Sequence, residues 1–278
     1  MQKRLSRFCL ALALFLALSP AALAMQESPI LDAGLSMLEE GNPFLEQYNR
    51  ETGKSIAARF PLGCPYFFGG SKYESIGLTR EAWQSSKYYK EGTTYIAGFD
   101  CVGFTRWVCK EVGWSEHPSL SNLISPYKSS NFFITATYSV PDDLVSQYLR
   151  PGDLLVLQHE SGGYHIMIYL GTLSSFGWTA ETLPASVAGD LDYPLVLHCS
   201  SNEDYYDRYQ SYVRQYKPWA EPTDGGVMVS LLNAPTDGCD GIMRNEDGSK
   251  LSYFKFFGYN LTVYQTNDVK TMQWVRWR

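Results

Sequence analysis

The stretch from Arg150 to Gly171 has to double back on itself. Arg150-Pro151-Gly152-Asp153 has the proline and glycine order of a tight turn, and Leu154-Leu155-Val156-Leu157-Gln158 follows as a compact apolar strand. His159-Glu160-Ser161-Gly162-Gly163 reads as the connecting loop, and Tyr164 to Gly171 as the return strand. Successive side chains of a strand point to opposite faces, so His165, Met167 and Tyr169 share one face and Ile166, Ile168 and Leu170 the other. The chain is thereby committed to an antiparallel hairpin with His165 at the head of its second strand.

A helix is expected upstream, from Cys101 to about Val112. Gly98 breaks what precedes it, and Asp100 can cap the free amides of its first turn. Phe104, Val108, Glu111 and Val112 fall near one face at helical spacing, and Gly113 suits the stop. A thiol at this N-terminus sees the positive end of the helix macrodipole, which favours thiolate over thiol. Cys101 is thus poised to act as a nucleophile if a base reaches it.

Around these two elements the reading is coarser. Residues 25–58 form a helical lead-in: Leu31, Leu35 and Leu38 share a face, Gly41-Asn42-Pro43 interrupts it, and Phe44, Leu45 and Tyr48 resume it. Pro61 to Pro65 reads as a turn before Tyr66-Phe67-Phe68-Gly69-Gly70, where paired glycines permit close backbone approach and would aim Tyr66 into a cleft. Residues 71–97 and about 172–193 read as insertions, and Trp114 to Gln147 as irregular chain. Pro194 to Ser201 is a third strand, with His198 facing away from Leu197 and Cys199. Gly226 to Leu232 and Tyr253 to Tyr264 supply later strands, with a turn at Glu246-Asp247-Gly248. With no internal repeat and no Pro/Ser linker, one α+β domain over residues 59–278 is the simplest account.

The first 24 residues resemble an export signal. Arg4 and Arg7 precede the apolar run Phe8 to Leu18, and Ala22-Leu23-Ala24 offers a small-residue cleavage site. That run is too short for a stable bilayer span, and none follows, so an exported, secreted or periplasmic protein without membrane insertion is expected. The net charge of −6 leaves no basic footprint for nucleic acid. The 20 tyrosines and 7 tryptophans fit either an aromatic-lined groove or ordinary packing. Beyond the signal remain Cys64, Cys101, Cys109, Cys199 and Cys239; an odd number invites one free thiol and two pairs, but the spacing establishes no bridge. No Cys-x-x-Cys or His-Glu-x-x-His pattern occurs, so neither a metal nor another cofactor is expected.

A thiol nucleophile needs a base within reach, and the base needs a third group to hold its tautomer. Of the 4 histidines, His165 starts a strand after a turn and His198 could orient it from behind. His117 and His159 fall in loop segments and read as solvated surface residues.

The order of these elements resembles the NlpC family of cell-wall cysteine peptidases. It is carried by Tyr66-Phe67-Phe68-Gly69-Gly70, Phe99-Asp100-Cys101-Val102-Gly103-Phe104, Pro151-Gly152-Asp153-Leu154, His165 to Gly171, and Leu195-Val196-Leu197-His198. The resemblance implies a papain-like fold, with a cysteine-bearing helix packed on an antiparallel sheet. It implies Cys101 as nucleophile, His165 as general base and His198 as the orienting residue. Tyr66 would sit by the cysteine, and Asp100 would either face the amine of a peptide stem or only cap the helix. The family usually carries serine after the cysteine; Val102 stands there, so a substrate hydrogen bond is missing or replaced. The implied reaction is hydrolysis of an amide bond in peptidoglycan stem peptides, between γ-D-glutamyl and the diamino acid. Two alternatives stay open: an N-acetylmuramoyl-L-alanine amidase of the CHAP type, and a non-catalytic wall-binding module. The oligomeric state is not legible.

Overall fold

The computed structural model describes residues 28–42, 46, 50, 62–66, 79–81, 91, 92, 94–96, 99–114, 132–134, 138, 139, 149–174, 179, 181, 194–201, 225–233, 242–256 and 259–277. The export signal, Phe44, Leu45, Tyr48, Gly69, Gly70, His117 and Cys239 lie outside the described residues, as do most of the two insertions. Helices α1 (Pro29–Ser36) and α2 (Cys101–Glu111) accompany the strands β1 (Leu62–Pro65), β2 (Thr79–Glu81), β3 (Thr94–Ile96), β4 (Phe132–Ile134), β5 (Tyr138–Ser139) and β6 (Leu154–His159). The later strands are β7 (Tyr164–Thr172), β8 (Pro194–Ser201), β9 (Gly225–Asn233), β10 (Tyr253–Phe256), β11 (Tyr259–Gln265) and β12 (Val269–Trp277). No helix among the described residues is long and apolar enough to cross a membrane.

The main sheet runs in the order β10-β11-β9-β8-β7-β6-β12-β4, with β1 also on β9 and β5 also on β12. Every pairing in it is antiparallel except β11 on β9. One edge of β9 is shared, since β1 meets it at Gly226 and Met228 while β11 takes Ser230 to Asn233. Strands β2 and β3 form a separate ribbon inside the first expected insertion.

The expected hairpin is β6 and β7, paired from Leu154↔Ile168 to Gln158↔Tyr164. At its entry, Gly152 takes φ 96° and the Asp153 N–H donates to the Arg150 carbonyl, as a turn with proline then glycine requires. The two faces divide as alternation predicts. Ile166, Ile168, Leu170, Leu195, Leu197 and Cys199 join α1 and α2 in the larger core, and Met167, Tyr169 and Val196 join Leu155, Leu157 and Trp274 in a smaller core. Helix α2 ends as expected: Gly113 takes φ 80°, its N–H donates to Lys110 and that of Trp114 to Cys109, the Schellman arrangement. The lead-in is part of the core, for Ile30, Leu31, Met37 and Leu38 are all buried with α2 and the sheet.

Four readings need correction. Residues 62–65, read as a turn, form β1. Gly63 makes this possible, because a Cβ there would lie 2.0 Å from the Met37 carbonyl oxygen. The irregular stretch after Trp114 contributes β4 and β5 to the sheet. Residues 253–264 hold two paired strands, β10 and β11. Strand β12 is not legible in the sequence, since Lys270, Gln273 and Arg276 interrupt its apolar pattern, yet it fills the side of β6 away from β7. Of the alternatives left open for the cysteines, the structure has the free thiols: Cys64, Cys101, Cys109 and Cys199 are all unbridged, and Cys64, Cys109 and Cys199 are buried.

Candidate active site

Asp100 caps α2: its Oδ1 accepts from the Gly103 N–H at 2.8 Å. This is the capping alternative for Asp100, and it starts the helix with the sulfur of Cys101 at its mouth. Residues on either side of Cys101 are anchored. Phe99 is fully buried, edge-on to Phe104, and its carbonyl accepts from Cys199 Sγ at 3.1 Å. Val102 is 8% exposed and packs into the larger core, so its side chain faces the interior and not a cleft. Tyr66 is half-buried against the same core and bridges to Phe99 through the backbone. Cys101 itself remains partly exposed, and α2 packs on β7 and β8.

His165 and His198 meet as expected from adjacent strands. His165 Nε2 lies 2.8 Å from His198 Nδ1, with the rings edge to face at 4.9 Å. The pair continues inward, as His198 Nε2 lies 2.8 Å from Ser230 Oγ, and Ser230 Oγ bonds Thr262 Oγ1. His165 also stacks on Tyr264, 5.3 Å between centroids and 11° between planes. Cys101 stands at the head of α2, which packs on β7, and the main-chain N–H of Ile166, next to His165, is near enough to draw its thiol pKa down. Among the described residues Cys101 Sγ makes no hydrogen bond to His165, and His165 Nδ1 is left unbonded.

Electrostatics settle the resting protonation. Burial holds His165 well below the usual imidazole range, with repulsion from His198 and His159 adding to it. Burial alone takes His198 down to about 3. Both rings are therefore neutral at pH 7. Burial, reinforced by the Asp100 charge, pushes the Cys101 thiol up to about 11, against smaller opposing pulls from the N–H groups of Ile166, Val102 and Cys101. The expectation of a ready thiolate is overturned: desolvation of the charged form outweighs the helix terminus. A neutral thiol and a neutral imidazole are the forms that a base-assisted nucleophile and its base take before substrate arrives, and the hydrogen bond between such groups commonly tightens only in the complex.

His159 is also corrected. It ends β6 and is largely covered, with Nε2 3.0 Å from Tyr264 Oη and Nδ1 3.2 Å from Asp268 Oδ1. Ser230, Thr262 and Tyr264 were not singled out from sequence. The available signal was a serine and a threonine in otherwise apolar strands, on positions that pair directly, Thr262↔Ser230.

A capped helix carrying a thiol, packed on a mostly antiparallel sheet that presents a histidine pair, defines an α+β fold of the papain-like kind. Residues 63–181 match the model of the NlpC/P60 family, consistent with an NlpC-family cell-wall peptidase. Members of that family are cysteine peptidases that act on peptidoglycan. The matched stretch carries Cys101 and His165, while His198, Ser230, Thr262 and Tyr264 lie beyond it. No curated protein and no solved structure matches the chain.

Proposed function

We propose that this chain is an exported thiol peptidase that hydrolyses peptidoglycan stem peptides between γ-D-glutamyl and the diamino acid. Cys101 is the nucleophile and His165, through Nδ1, its base; His198 holds His165 from behind. The observation that carries this reading is the 2.8 Å bond from His165 Nε2 to His198 Nδ1, which leaves the opposite ring nitrogen for a thiol at the mouth of a capped helix.

The reaction begins as His165 Nδ1 takes the Cys101 proton while the sulfur attacks the amide carbonyl. The developing oxyanion meets the Cys101 N–H, which has no backbone partner among the described residues. Collapse of the tetrahedral intermediate breaks the C–N bond, and the proton on His165 goes to the leaving amine. A water molecule, deprotonated by the same nitrogen, then hydrolyses the thioester. Because burial raises the thiol to about 11, the sulfur depends on His165 to take its proton. Tyr66 lines the approach to the sulfur, and Asp100 serves through the helix it caps.

Digestion of purified muropeptides by the full chain, with Cys101→Ala as control, tests this by fragment mass. The expected fragments carry a terminal γ-D-glutamate and appear only with the unsubstituted protein. Release of whole stems would replace endopeptidase by amidase; wall binding without cleavage by either protein would overturn the enzymatic reading.

A further inference from the structure

The histidine pair is the outer end of a longer row. His198 Nε2 meets Ser230 Oγ, Ser230 Oγ meets Thr262 Oγ1, and Thr262 Oγ1 donates to Met228 Sδ at 3.7 Å. All of these groups are buried, with Met228 and Ser230 each at 1% exposure and His198 at 2%. In a triad that ends in a carboxylate, the negative charge dictates which way the protons point. Here no carboxylate touches His165, His198, Ser230 or Thr262 among the described residues; Asp268 is engaged with His159. Among the described residues, the groups that can set the direction are neutral.

Each hydroxyl and each neutral imidazole in the row carries one proton, so the row runs one of two ways. Run inward from the surface, His165 Nε2–H donates to His198 Nδ1, His198 Nε2–H to Ser230, Ser230 to Thr262 and Thr262 to the Met228 sulfur. Every donor then has an acceptor, and His165 Nδ1 keeps its lone pair. Run outward, Thr262 donates to Ser230, Ser230 to His198 Nε2, and His198 Nδ1–H to His165 Nε2. His165 then carries its proton on Nδ1, with no lone pair to offer a thiol, and the sulfur has no donor. The bonds inside the row are the same in number either way. The O–H···S bond is what differs, because a thioether accepts and has nothing to donate. Tyr264 does not compete, since its hydroxyl is spent on His159.

We propose that Met228, acting through Thr262 and Ser230, sets His165 in the Nε2–H tautomer, so that these three are positioning residues for the base. The effect on rate rests on the reading of His165 as base given above; the tautomer does not. The test is long-range 1H–15N correlation on the 15N-labelled full chain, which separates protonated from bare ring nitrogens, together with muropeptide turnover. The unsubstituted protein is expected to show His165 protonated on Nε2 and bare on Nδ1. Met228→Leu keeps the volume and removes the acceptor; Thr262→Val removes the hydroxyl. Both are expected to raise the Nδ1–H form and lower kcat several-fold with KM unchanged, while Thr262→Ser restores the starting spectrum and rate. A His165 already protonated on Nδ1, or a tautomer unmoved in both Met228→Leu and Thr262→Val, would overturn the proposal. A tautomer that moves as expected in a chain without turnover would sustain it and overturn the enzymatic reading instead.

Discussion

Asp153→Ala should unfold this protein far more readily than its place in a surface turn suggests. The Asp153 carboxylate is 2% exposed. It accepts from Arg276 Nε at 2.8 Å on Oδ1 and from Arg276 Nη2 at 2.6 Å on Oδ2, and Oδ2 also accepts from the Arg150 N–H at 2.7 Å. The turn and β12 are thus tied together beside the Val275↔Leu154 pair. Truncation strips a nearly buried fork of its partner. Losing one member of a fully buried pair costs about 3–5 kcal/mol. Arg276 is 23% exposed and stays over the Trp274 ring at 4.6 Å, which moderates the loss. The freed Arg150 N–H adds about 1 kcal/mol at most, since water reaches it. A total of about 3 kcal/mol follows, or a fall in Tm of roughly 6–12 °C for a domain of this size. Urea unfolding of Asp153→Ala, Arg276→Met and the double variant, followed by tryptophan fluorescence, measures both the loss and the coupling. A single-variant loss below about 1 kcal/mol, or strict additivity of the two, would refute the reasoning.

Three further outcomes follow, two from the burial of the site and one from a close contact in the core. His165 and His198 have imidazole pKa values lowered by burial, so the unfolded chain binds more protons than the native one once pH drops below 6.5. Stability present above 6.5 is therefore lost as pH falls, by up to about 2.7 kcal/mol per pH unit for two groups; urea midpoints at pH 7, 6 and 5 that do not move would contradict this. Alkylation of Cys101 by iodoacetamide, read by mass spectrometry, should accelerate steadily from pH 7 towards 10, because the thiol is raised to about 11; a plateau already reached at pH 7 would mean a preformed thiolate. Gly63→Ala would drive a methyl group into the Met37 carbonyl oxygen, 2.0 Å away across a backbone contact that cannot rotate aside. A loss of about 3 kcal/mol or more is expected in thermal unfolding, and a Tm within 2 °C of the parent would show that β1 does not meet the chain after α1 as described.

What the sequence determined by itself was local. The turn at Pro151-Gly152, the β6–β7 hairpin, the Asp100 cap and the Gly113 stop are each written in a few adjacent residues, and short-range sterics and hydrogen bonding suffice to produce them. Alternation along β7 and β8 was enough to assign His165 and His198 to their faces, because side chains on a strand have a period of two. The pattern expected of an export signal is local in the same way, and it lies outside the described residues.

Tertiary structure decided what depends on residues distant in the chain. Strand β12 has no clean pattern because its polar side chains find partners elsewhere: Arg276 on Asp153, Thr271 on Gln158. Ser230 and Thr262 are 32 residues apart and become neighbours only when β11 pairs in parallel with β9. His159 reads as a loop residue until Tyr264 closes over it. The protonation of Cys101 turned on the same difference. Its helix position, visible in sequence, favours the thiolate, whereas burial, which only the assembled fold imposes, favours the thiol and is the larger effect.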